Sequence, residues 1–101
     1  MFENGIEQRV DPDVREDIPA PIRAALWISI RRMPEPKDRI QTFRLNREIV
    51  DGRTCQVIHH TTGRPYFSET IRLWYSGAVH NFRVLAVDKG EYCILSFPAD
   101  D

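Results

Sequence analysis

Lysine is almost missing from this chain: Lys37 and Lys89 are the only two, against twelve arginines. That argues against a lysine-rich solubilising surface. Positive charge is instead carried by planar guanidinium forks, which match phosphate and carboxylate. No apolar run approaches the length of a membrane span, and MFENGIEQRV lacks the charged-then-apolar pattern of a secretion signal. We therefore expect a cytoplasmic protein with no membrane partner. Cysteine is scarce, and Cys55 and Cys93 read as free thiols before they read as a disulfide. The five glycines form no phosphate-cradling loop. Ser76-Gly77 and His80 lack a nucleophile elbow and a carboxylate partner.

What is present suits one soluble globular domain over residues 1–101, with a polar segment 1–17 and a structured core 18–98. The net charge of −1 is unevenly spread. Residues 1–17 hold six acids against Arg9 and Arg15, and Asp100 and Asp101 add two more at the other end. Residues 18–98 hold twelve basic against seven acidic residues, a net of +5. Such a balance speaks to association, and solvated faces with a compositional bias account for it as well.

DIPAPIRAALWISIRRMP is the clearest helix, expected over residues 19–33. Asp17 is placed to cap it, Pro19 and Pro21 fit its first turn, and Pro34 stops it. Ile22, Leu26, Ile30 and Met33 follow the spacing of a buried stripe. After PEPKD the pattern turns to strands: 39–50, 53–61, 66–73, 82–88 and 91–97, with hairpin turns at Asp51-Gly52 and around Lys89-Gly90. The expected fold class is therefore α+β, two-layer, with one main helix packed on a mostly antiparallel sheet of about five strands. Its expected core is Leu26, Trp27, Phe43, Leu45, Ile58, Phe82, Val84, Leu95 and Phe97.

The stretch CQVIHH, residues 55–60, gathers a cysteine and two histidines and raises the question of a metal or Cys/His site. Strand alternation answers it. With Asp51-Gly52 as a two-residue turn, His59 and His60 point to opposite faces. Cys55 and His59 share a face but lie roughly 13 Å apart, too far for a hydrogen-bonded nucleophile and base. A zinc site would need Cys93 and His80 to converge without any of the usual close spacings. We expect no metal and no cofactor, with His60 a satisfied polar residue beside the core and His59 a surface residue beside Arg44. Asp13 with Glu35 and Lys37 mimics a nuclease pattern, but Glu35 and Lys37 lie in a proline-bracketed loop rather than on adjacent strands. The chain reads as a non-enzyme.

A single helix covers only one side of a sheet. The other side is expected to present Arg44, Arg72 and Arg83 with His59 and Tyr92 among aliphatic residues. Basic groups interleaved with an aromatic suit RNA, single strands or an acidic protein. The same face equally suits a homodimer interface or a solvated sheet surface, so monomer and weak dimer are both in view. On the helix, Arg23, Trp27 and Arg31 align on one flank, which we read as the margin of the core under arginine stems.

Ile18-Pro19, Leu26-Trp27, Gln41, Phe43, Leu45, Gln56, Ile58, His60 and Val87-Asp88 carry a resemblance to a family of small proteins of unknown function from Gram-positive bacteria and their mobile elements. It runs over roughly residues 5–100. Those positions are core or turn positions, so they imply a shared fold more than a shared activity, and the family supplies no catalytic residues. This chain departs from it in being Arg-rich or neutral around the second strand and the C-terminus, where the family is acidic. In length and general pattern the chain is also similar to anti-CRISPR proteins acting on type II nucleases. That similarity implies an inhibitor that binds the CRISPR nuclease or its guide RNA. Acidic ends could mimic nucleic acid, or the arginine face could grip the guide. The +5 middle favours the guide.

Overall fold

In the computed structural model, residues 6–98 are described. The elements in order are β1 (Glu7–Val10), α1 (Pro12–Asp17), α2 (Ala20–Arg32), β2 (Ile40–Val50), β3 (Arg53–Gly63), β4 (Tyr66–Trp74), β5 (Phe82–Asp88) and β6 (Tyr92–Ser96). They form an α+β domain in which one six-stranded sheet has the order β1-β6-β5-β2-β3-β4. All pairings are antiparallel except β1 with β6, which is parallel.

The β2–β3 hairpin forms because Asp51 and Gly52 both take positive φ, at 51° and 77°, as a tight turn matched to strand twist requires. Its register puts Phe43 opposite His60 and Leu45 opposite Ile58, the pairing expected from a two-residue turn. Gly90, at φ 95°, sits in the β5–β6 turn, where its N–H donates to Asp88 Oδ1 at 2.8 Å and Lys89 N–H donates to the Tyr92 carbonyl at 2.8 Å.

The α+β class and a sheet of about five strands fit broadly, whereas one main helix is too coarse a count and the polar N-terminal segment carries elements of its own. Residues 7–10 add a sixth strand, and Pro12–Asp17 make a second helix. Asp17 does not cap α2: it ends α1, and Pro19 takes the cap position without any side-chain hydrogen bond. Val14 and Ile18 are fully buried, so this acidic segment contributes an apolar ridge to the core. Glu3, Asp100 and Asp101 lie outside the described residues.

The core lies between the helices and one face of the sheet. Ile22, Leu26 and Ile30 of α2 meet Phe43, Leu45, Ile58, Val84, Ala86 and Leu95. Of the expected core, Leu26, Phe43, Leu45, Ile58, Val84 and Leu95 are buried, while Trp27, Phe82 and Phe97 lie at its margin, partly buried. The margin is where Phe82 and Phe97 stack, with ring centroids 5.7 Å apart. Both cysteines are buried.

Candidate binding surface

The helix-covered face carries the polar cluster that most resembles chemistry. Gln41 Nε2 donates to the Asp38 carbonyl at 2.8 Å, which leaves Gln41 Oε1 facing His60 Nε2 as an acceptor. His60 Nε2 therefore carries the ring proton. His60 Nδ1 accepts from the Ser29 hydroxyl, 2.7 Å away. Glu69 Oε1 lies 3.4 Å from that hydroxyl, whose single proton goes to the closer imidazole nitrogen. Burial pushes His60 down to about 4, and the nearby His59 adds to the fall. Phe43 stacks on the ring at 4.4 Å and Phe67 meets its edge.

A hydroxyl, an imidazole and an amide oxygen in line have the form of a nucleophile–base–orienter triad. Here Ser29, His60 and Gln41 are all buried, so no substrate reaches the hydroxyl. The cluster is a satisfied core network tying α2 to β2 and β3. Gln56 plays a similar part for the β4–β5 loop. Its Nε2 donates to the Asn46 and Val79 carbonyls and its Oε1 accepts from Val79 N–H. His80 Nδ1 accepts from the Arg47 backbone N–H at 2.9 Å, a structural role. Among the described residues no group of three or more His, Cys, Asp or Glu side chains could hold a metal ion.

The opposite face has no helix over it. Arg83, Arg44, His59 and Thr70 stand in one row across β5, β2, β3 and β4. His59 Nδ1 is 2.9 Å from Thr70 Oγ1, so the structure places His59 beside Arg44 on the surface and separates it from His60. Arg44 and Arg83 are exposed and directly opposite, and neither makes an ion pair with another described residue. Like charges in that position repel. Arg72 lies one row further along β4 and meets Glu48 at 3.7 Å, which moderates its charge.

Where β6 stops at Ser96, Pro98 cannot continue the ladder and β5 is left uncovered at its start. A cleft of about 630 Å³ opens there, bounded by Arg44, Asn46, Asn81 and Arg83 on one side and by Phe82, Phe97 and Pro98 on the other. Asn81 takes a φ of 63° at its rim, a left-handed conformation that asparagine tolerates well.

Tyr92 is not part of this group. It pairs with Glu7 on the edge strand and lies under the Arg9 guanidinium, 3.8 Å from the ring centroid. Arg9 in turn binds Glu7 at 2.7 Å and, through that hydrogen bond, holds its carboxyl below the ordinary range. Counting strand residues from the level of Arg83 puts Tyr92 roughly 20 Å along the sheet. Beside Arg72, two residues further along β4 on the same face, stands Trp74, exposed and stacked under Arg53 at 4.1 Å. Sequence reasoning closed the fourth strand one residue early and missed it; strand parity with Arg72 was the signal.

No protein-family model and no curated protein matches the chain. A crystal structure of a protein of unknown function from Enterococcus faecalis shares the fold: 17% identity, a TM-score of 0.75, and coverage of 99% of this chain and 94% of that one. In the present chain, none of the described helices is long and apolar enough to cross a membrane.

Proposed function

We propose that this chain is a non-catalytic binding protein whose open sheet face takes the phosphate backbone of RNA, with the guide RNA of a type II CRISPR nuclease as the specific target. The observation that carries the reading is the uncompensated Arg44–Arg83 pair at the sheet centre, bordering an open cleft. Two adjacent guanidinium groups with no acid between them cost stability unless an anion bridges them. The burial of Ser29, His60 and Gln41 supports a role without turnover. The guide as target comes from the resemblance in length and general pattern.

Pull-down from cells carrying a type II effector, with and without guide, tests the target. Recovery only with guide is expected; if neither form is recovered and target cleavage proceeds unchanged, the inhibitor reading is wrong. RNA binding should weaken steeply with salt, and each of Arg44→Ala and Arg83→Ala should lower the salt slope by about one unit. Both changes should weaken binding to many sequences alike, because phosphate contacts position rather than read bases.

A second reading has its own observation. Ile40, Val87 and Ile94 form a cross-strand aliphatic row on the same face, with Ile40 half exposed. That row suits a homodimer. A tight dimer by light scattering, broken by Ile94→Asp, would favour it over RNA binding.

A further inference from the structure

We infer that the open face takes RNA as a single strand and that Trp74 is its base-stacking platform, an inference that rests on the RNA reading above. Phosphate contacts alone do not distinguish a duplex from a single strand, but an exposed indole does, because duplex bases are stacked away from it. Trp74, on β4 like the still more exposed Tyr66, is 53% exposed, a large aromatic surface that Arg53 covers only in part. It stands on the same face as the arginines, since it pairs with Cys55 while Arg72, two residues earlier on β4, pairs with Val57.

The position fits a strand path. From Arg83 the row crosses Arg44 and His59 to Thr70, and Trp74 lies four residues further along β4. Three strand spacings across and four residues along give a diagonal of about 20 Å. Arg83 and Arg44 lie on the row and Arg72 on β4 between Thr70 and Trp74, so the arginines follow the row and then the strand as backbone contacts, and the aromatic closes the path. Arg53 is stacked at 4.1 Å from the Trp74 ring centroid and supplies a cation beside the platform. Gly52, Thr54, Tyr75 and Ser76 border a shallow depression of about 390 Å³ next to it, space enough to seat a base.

Trp27 and Trp74 are the two tryptophans, so Trp27→Phe leaves Trp74 as the sole indole reporter. A uridine oligomer of roughly ten nucleotides should quench its fluorescence, and duplex RNA should not. Trp74→Ala should weaken binding of that oligomer about tenfold with the salt slope unchanged, since stacking releases no counterions. Trp74→Phe keeps a π-face and should recover most of the loss, and thermal unfolding of both variants separates a stacking defect from a folding defect. If Trp74→Ala binds as tightly as the parent while Arg44→Ala still lowers affinity and slope, the platform is wrong and the RNA reading stands. Equal affinity for duplex overturns the single-strand inference. If neither form of RNA binds, the RNA reading falls and this inference with it.

Discussion

Beneath the helices, Ser29, His60 and Gln41 are buried and hydrogen-bonded in a closed chain. On the open face of the same sheet, Arg44 and Arg83 confront each other with no acid between them. His59 and His60 show the contrast within a single step: one lies at the surface against Thr70, the other in the core against Ser29 and Gln41. A polar group in the interior must find a hydrogen-bond partner there, and here the chain itself supplies it. Charge left unsatisfied at the surface is available to another molecule. The clustering of histidines raises the question of chemistry; strand parity reads them as structural and points instead to the arginines.

The sharpest way to separate the faces is to damage one and read the other. Phe43→Ala removes the ring that stacks on His60 at the centre of the core, and should cost about 3–5 kcal/mol of stability in urea unfolding. RNA affinity of the folded fraction should stay unchanged. A loss of affinity larger than the loss of folded protein would show that the two faces are not independent.

Acid tests the same face from within. An unfolded His60 takes up a proton near pH 6.5, whereas in the folded core it resists until about 4. The unfolded chain then binds more protons throughout that window, so stability falls as pH drops through it, by on the order of 3 kcal/mol in all. Asp38 acts lower. Burial raises its pKa, but backbone N–H groups of Arg64, Ile40 and Gly63 outweigh that and hold it below its ordinary 3.8, so its contribution is lost only beneath that value. His60→Phe should be less stable at pH 7, with the Ser29 hydroxyl and Gln41 Oε1 each losing the imidazole partner, yet should lose the slope between pH 6.5 and 4. An unchanged slope in the variant would place the acid sensitivity elsewhere.

These outcomes bear on how far the fold could be read from residues. Asp51-Gly52 fixed a register, and with it the face of every residue in β2 and β3, because side-chain parity follows once one turn is known. β1 was illegible for the opposite reason. EQRV has no apolar alternation, and its partner, β6, is 85 residues away in sequence (Glu7 to Tyr92), paired in parallel with no turn to announce it. For α1, Asp11-Pro12 marks the start of no more than a single helical turn: Val14 and Ile18 are four apart and buried, but two apolar positions among charges are a weak signal. For the surface, parity correctly put Arg44, Arg72, Arg83, His59 and Tyr92 on one face. It says nothing about strand order or position along the sheet. Arg44 and Arg83 became neighbours only because β5 pairs with β2, and Tyr92 fell to the far end beside Arg9.

The smallest expected effect carries an opposite sign for folding and for binding. Arg83→Ala removes one member of a like-charged cross-strand pair, so the folded state should gain roughly 0.2–1 kcal/mol. The same change deletes a guanidinium from the cleft and should weaken RNA binding and lower its salt slope by about one unit. Arg44→Ala should do likewise, and the double variant should gain less stability than the two single gains together, because the repulsion can be relieved only once. That non-additivity is the measurement that ties both residues to one contact. Additive gains would mean the guanidinium groups do not interact, and a loss of stability in either single variant would mean the pair is held by contacts within the chain. In both cases the uncompensated charge would no longer distinguish the open face from the covered one.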